Sequence, residues 1–285
     1  MITTRLLPEL DMSLAESPLW DDRAARFYWV DINAGTLHGC DVDGAGHEAW
    51  DFGEKISALG LMGEGALLMV AGVSGLWCFD PVEGEKVLQI PFPDLPTIQR
   101  PNDGKVGPDG AFWVGTMEDR DDRGPEGRLY RFTASNVVQV KLGGLTTPNG
   151  IAWSPDGRWM YLAETRALTI HRFSFDAKTG SIGSGEVFAT LAEGEGKPDG
   201  AMVAADGSYW VAGIYSGKIL GFRPDGTRLG AIEVSPEMVT MPCLGGVGLD
   251  QLLVTSLARG DVRGGIWAIE TNLVGQPSHR FGSLD

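Results

Sequence analysis

Residues 197–213 read KPDGAMVAADGSYWVAG, and two other stretches repeat their plan: RPNDGKVGPDGAFWVGT at 100–116 and TPNGIAWSPDGRWMYLAE at 147–164. Each runs proline, a polar residue, a short apolar strand, an Asp-Gly pair and an aromatic-rich strand. Asp-Gly between two apolar runs is a hairpin turn, because glycine supplies the positive φ that such turns require. In all three copies the polar residue (Asn102, Asn149 or Asp199) stands seven positions before the turn aspartate (Asp109, Asp156 or Asp206).

Weaker copies follow from the template. MPCLGGVGLDQLLVTS puts Cys243 seven before Asp250, and KISALGLMGEGALLMVAG puts Ser57 seven before Glu64. ESPLWDDRAARFYWVD puts Glu16 six before Asp22. The marked positions 16, 57, 102, 149, 199 and 243 are spaced 41, 45, 47, 50 and 44 residues apart. That period is the length of one four-stranded propeller blade. The expectation is an all-β, six-bladed β-propeller of four-stranded blades, with residues 1–285 forming a single domain. The blade at Asn149 reads as GIAW, WMYLAE, LTIHRFSF and EVFATL, and the blade at Asp199 as AMVA, SYWVAG, KILGFR and RLGAIEV. The last blade reads as LGGVGL, LLVTS and GGIWAIE; its outer strand is expected from the N-terminal TTRLLPEL, which would close the ring. Gly or Pro interrupts every candidate helix.

Composition narrows the function classes. The net charge of −15, with no basic cluster, argues against nucleic-acid and anionic-membrane partners. Forty-one glycines and nine tryptophans suit many short strands joined by tight turns. The three cysteines (Cys40, Cys78, Cys243) form no CxxC pair and point to a reducing compartment. The first twenty residues lack the apolar core of a signal peptide, and ALLMVAGVSGLWCF is too short and glycine-rich to span a bilayer. A cytoplasmic monomer or small homo-oligomer acting on a small molecule is expected.

In a propeller the first strand of each blade lies nearest the axis, so residues at its start face one mouth of the channel. The repeat therefore places Glu16, Ser57, Asn102, Asn149, Asp199 and Cys243 around that mouth. The turn in each strong copy is already made by the second Asp-Gly, which leaves the first polar residue for another task. Carboxylate and amide oxygens converging there are the donors hard divalent cations take. Arg100, two residues before Asn102, also reaches this mouth. There is no GxSxG, HExxH or GxxxxGK[ST], and the four histidines show no paired ligand spacing. DVDGAGHE at 41–48 reads as a hairpin turn, and EDRDDRGPE at 118–126 as a solvated loop with a substrate lid as its second reading.

LAESPLW, RPNDGKVGPDGAFWVGTM, PNGIAWSPDGRWMYLAET, KPDGAMVAADGSYWVAG and PCLGG resemble, in order and over nearly the whole chain, the family of regucalcin (senescence marker protein), gluconolactonase and related sugar lactonases. The resemblance implies a six-bladed propeller with one divalent cation at the channel mouth, calcium first, with zinc, manganese, magnesium or iron as alternatives. It implies Glu16, Asn149 and Asp199 as metal ligands and Arg100 and Asn102 as substrate-binding residues. Lactone hydrolysis at such a site takes Asp199 as the general base, with metal-bound hydroxide as the alternative source of the nucleophile. The implied reaction is hydrolysis of a sugar (aldono-) lactone to the aldonic acid. A non-catalytic calcium-binding regulatory propeller and a lactonase or esterase for non-sugar substrates are the alternatives. Two departures stand out: Ser17 follows Glu16 where the family often has glycine, and the family's acidic substrate contact has Glu118 and Asp119 as its counterparts here.

Overall fold

The computed structural model describes residues 4–6, 10–63, 65–235 and 237–283. Their strands form six sheets, each built around four antiparallel strands, which in five of the six follow one another along the chain. The first strands are Ala15–Asp21, Ile56–Met62, Gln99–Val106, Pro148–Trp153, Lys197–Val203 and Val239–Gly245. Each touches the first strand of the next blade, and the sixth touches the first, so together they line a central channel. The chain is a six-bladed β-propeller. The sixth blade takes its outer strand from Thr4–Leu6, which pairs antiparallel with Gly265–Ile269, as the ring-closing expectation required. Residues 3 and 7–9 of that predicted segment, and the repeat anchor Glu64, lie outside the described residues.

The period-two alternation of each strand sends one face toward the preceding blade and one toward the following blade. Six apolar clusters result, one in each gap between blades. Trp113, Trp153 and Phe175 fill the gap between the third and fourth blades; Tyr161, Phe188 and Tyr209 fill the next. Phe27 and Trp29 pack with Leu253 and Ile266 across the closure. Burying each large aromatic contributes on the order of 2–3 kcal/mol, so every gap is held mainly by apolar area.

The Asp-Gly hairpins form as read. Gly110, Gly157 and Gly207 sit at φ +66, +65 and +84, and each amide donates to the carbonyl three residues back. The sixth blade departs from this. Its turn is Gly246–Leu249, closed by Leu249 N to Gly246 O at 3.0 Å, with Leu249 at φ 52 in the slot glycine fills elsewhere. Asp250 lies beyond the turn. The predicted first strand at 244–249 therefore begins and ends too late; the strand is Val239–Gly245.

A segment the repeat did not foresee runs across the far mouth. Ala205 N donates to Val274 O, Gly275 N to Leu249 O and Gly63 N to Phe281 O. The Gln276 amide bonds the carbonyls of Trp153 and Val203, both at 3.3 Å. Arg280–Phe281 pairs in parallel with Ile56–Met62, Arg280 bonds Asp22 at 2.7 Å, and Gly282 N donates to Gly110 O at 2.9 Å. Residues 274–282 thus make contact with all six blades. Among the described residues, no helix is long and apolar enough to cross a membrane.

Candidate active site

The near mouth opens into a cavity of about 510 Å³ lined by Glu16, Arg100, Asn102, Asn149 and Asp199, among others. Every first strand carries a β-bulge near its start, at or beside Glu16, Asn102, Asn149 and Asp199, which face the cavity. The bulge after Asn149 is built on Gly150 at φ +59, where an added Cβ would lie 2.3 Å from the Tyr209 hydroxyl. That hydroxyl in turn donates to Gly150 O at 2.9 Å. The corresponding residue after Glu16 is Ser17, held at φ 50 in the left-handed region that favours glycine. Its hydroxyl accepts Leu59 N–H at 2.9 Å and its amide donates to Glu16 at 2.9 Å, so the departure from glycine ties the first blade to the second.

Two marked positions do not join the cavity. Ser57 is buried and its hydroxyl has no partner. Cys243 belongs to the opposite end of the channel, where it lines a smaller cavity of about 100 Å³. Counting back from Asp250 misplaced it, because Asp250 lies past the turn and the sixth first strand is longer after its bulge. The residue in the bulge is Thr240, whose hydroxyl donates to Ala15 O at 2.6 Å and so braces the ring closure beside Glu16.

A directed hydrogen-bond chain fixes the polar side chains. Arg100 donates from Nε to Asp119 Oδ1 at 3.1 Å and from a terminal nitrogen to Asn102 Oδ1 at 2.9 Å. Asn102 Nδ2 then donates to Asn149 Oδ1 at 2.9 Å, and Asn149 Nδ2 to Thr165 Oγ1 at 2.8 Å. Thr165 passes its one proton to Pro198 O at 2.7 Å. A hydroxyl that has given its proton away can only accept, so Asn149 must turn its NH₂ group to Thr165. Its carbonyl oxygen is left facing Asn102 and the cavity. Thr165 went unnoticed in the sequence because it follows the second strand rather than the repeated first.

Burial raises the Glu16 carboxyl well above the usual carboxylate range, and Asp199 and Asp103 raise it further. Burial likewise raises Asp199, with Asp103 adding and Arg100 opposing. Among the described residues neither Glu16 nor Asp199 forms an ion pair; each accepts one backbone amide, from Ser17 and Gly200 respectively. Asp103 deepens the acidity: one oxygen accepts Ile151 N–H at 2.7 Å and the other is buried without a partner. Lys105 below it donates to Ala201 O at 2.8 Å and offsets part of that charge. Uncompensated buried carboxylates are unfavourable by several kcal/mol. Two such groups beside an oriented amide oxygen, with no cysteine or histidine among the described residues lining the cavity, fit a hard divalent cation.

The loop at 118–126 borders this mouth through Asp121 and Arg123. Glu118 is held by Arg120 and by Gly124 N–H at 2.6 Å, and Asp119 by Lys55 and Arg100, so neither lies free toward the cavity. The acid of this loop that faces the cavity is Asp121. His38 and His47 stack together on Trp29 in the first blade and take no part. DVDGAGHE is the hairpin connection between Thr36–Asp41 and Glu48–Asp51.

Comparison with known proteins agrees with this architecture. The family model described as the SMP-30/gluconolactonase/LRE-like region matches residues 14–258. A pentonolactonase of Haloferax volcanii is 32% identical over 98% of both chains. A 6-deoxy-6-sulfogluconolactonase of Pseudomonas putida is 34% identical over 92% of both. The crystal structure of regucalcin from Agrobacterium tumefaciens, described as a calcium-binding protein, superposes with a TM-score of 0.92 at 27% identity, over 98% of this chain and 97% of that one.

Proposed function

The chain belongs to the SMP-30/gluconolactonase/LRE-like family, and we propose that it is a lactonase that hydrolyses a sugar lactone to the aldonic acid in the near-mouth cavity. Glu16, Asn149 and Asp199 would hold one divalent ion there, calcium before zinc, manganese, magnesium or iron. The observation that carries the reading is the pair of buried carboxylates, with no ion pair among the described residues, beside the oriented Asn149 oxygen and the Arg100–Asn102 donor pair. The names of the lactonase relatives support the reaction, and the description of the regucalcin structure supports calcium.

A lactone is a cyclic ester, so its opening needs an activated water, a proton acceptor and stabilisation of the oxyanion. The bound ion would supply Lewis acidity toward the carbonyl and lower the pKa of water. Among the described residues Asp199 accepts the Gly200 amide alone, which leaves lone pairs open to the water proton. Arg100 and Asn102 orient the substrate's oxygens and stabilise charge that grows in the transition state. Arg100 is itself buried and held by Asp119, so its guanidinium is already oriented without substrate. As water adds to the carbonyl, the ring C–O bond breaks and the ring oxygen takes a proton, giving the hydroxy acid.

The same reading treats residues 1–285 as one domain working in the cytoplasm on a small molecule; all three cysteines are free, which suits a reducing compartment. The test is turnover of a panel of aldonolactones, non-sugar lactones and aryl esters by the wild type and Asp199→Ala. Aldonolactones should be the preferred class, and Asp199→Ala should retain the fold while losing about 10²–10⁴-fold in kcat. Near-normal turnover by Asp199→Ala, or preference for an aryl ester, would overturn it.

A further inference from the structure

The rim of the cavity carries charge that opening a neutral lactone does not use. In a chain of net charge −15, Arg123, Arg166 and Lys197 all line it, brought in by the third, fourth and fifth blades. None of the three makes an ion pair with a carboxylate among the described residues. Arg123 donates to the Arg120 carbonyl at 2.8 Å, Arg166 to the Asp121 carbonyl, and the Lys197 ammonium stands 5.8 Å from the Tyr215 ring centre. In the third blade three other arginines do pair with acids: Arg100 with Asp119, Arg120 with Glu118, Arg131 with Asp109.

Local repulsion points the same way. Burial and the neighbouring Arg166 both lower the Arg123 pKa, while Asp121 opposes them without forming an ion pair. Tyr215 is held at φ 77 in the left-handed region, half-exposed, with Arg259 over its ring at 5.1 Å. Strained backbone and like charges gathered at one opening mark a surface shaped for a ligand. Guanidinium groups already anchored on carbonyls retain donors in the fork geometry that matches an oxyanion.

We propose that Arg123, Arg166 and Lys197 form an anion subsite, so that the substrate is a sugar lactone bearing an anionic group on its arm remote from the lactone carbonyl. The inference rests on the lactonase reading above and adds the substrate's charge to it. The lactone ring would lie toward Arg100 and Asn102, and the arm toward the rim. Carboxylate, phosphate and sulfonate share the required chemistry.

The experiment compares kcat/KM for gluconolactone with that for its analogues carrying a carboxylate, phosphate or sulfonate on the terminal carbon, at low and high salt. The wild type should prefer at least one anionic analogue, and salt should shrink the preference. Arg166→Gln and Lys197→Gln, at exposed positions, should each reduce the anionic-to-neutral ratio by about fivefold to tenfold. Equal turnover of neutral and anionic lactones, or a preference unchanged in both variants, overturns the subsite. Calorimetry with a sugar alcohol and its terminal phosphate reads the subsite without turnover. Tighter binding of the phosphate by wild type but not by the variants supports it even if no lactone is hydrolysed, an outcome that would count against the lactonase reading alone. Equal binding of the two overturns it.

Discussion

The two mouths of the channel are made by opposite ends of the same six strands, yet they are built for opposite ends. At the near mouth Glu16 and Asp199 are buried and, among the described residues, form no ion pair, nor do the three cations on the rim; Lys105 offsets part of the charge of buried Asp103. At the far mouth residues 274–282 satisfy backbone groups from blade after blade and place Phe281 in the core. The far mouth contributes stability; the near mouth gives some up to keep charges available for a ligand. Each variant below moves one mouth and spares the other.

The largest effect on stability belongs to the far mouth. Phe281→Ala, which empties a buried aromatic site, should lower unfolding stability by about 3–5 kcal/mol in denaturant titrations. Its kcat/KM at permissive temperature should stay within about twofold of wild type. A large kinetic defect in the folded variant would mean that the two mouths are coupled.

At the near mouth the sign reverses. In chelator-treated protein, Asp199→Asn should raise stability at neutral pH by about 2 kcal/mol, because it removes a buried charge repelled by Asp103. The pH dependence follows. Glu16 and Asp199 have folded-state pKa values above their unfolded ones, so the folded state holds extra protons. Their contribution is fully present below the unfolded carboxylate pKa and is lost as pH rises through the raised values. The melting temperature of metal-free protein should therefore fall across that rise, and excess divalent ion should flatten the slope.

Smaller effects sharpen the geometry. Thr165→Val removes the acceptor that orients the Asn149 amide, and calorimetry should show about tenfold weaker divalent-ion binding. Ser17→Gly relieves a positive φ but loses the bond to Leu59 N–H, so its net effect on stability should be under about 1 kcal/mol.

The propeller was legible because its turns are chemically explicit. Asp109-Gly110, Asp156-Gly157 and Asp206-Gly207 announce three hairpins, and a fixed offset from them reaches Asn102, Asn149 and Asp199. Where the turn lost that chemistry the reading slipped: Gly248-Leu249 carries no Asp-Gly, so Cys243 was chosen over Thr240. Asp103 was in view beside Asn102, but its role as a buried neighbour of two other carboxylates depends on the ring being closed. The far-mouth strap was invisible for a different reason. Residues 274–282 hold themselves through backbone bonds to four blades and through the Gln276 and Arg280 side chains to the other two, and such bonds leave no periodic side-chain pattern. The rim cations escaped notice because they come from three blades and only the folded ring gathers them.

The central claim is that the near-mouth acids hold a divalent ion for lactone hydrolysis, and pH-monitored opening of an aldonolactone by chelator-stripped protein tests it most directly. With spontaneous opening subtracted, the stripped protein should be inactive, and one equivalent of a suitable divalent ion should restore turnover. Full activity after stripping, or ion binding that accelerates no lactone, would contradict it.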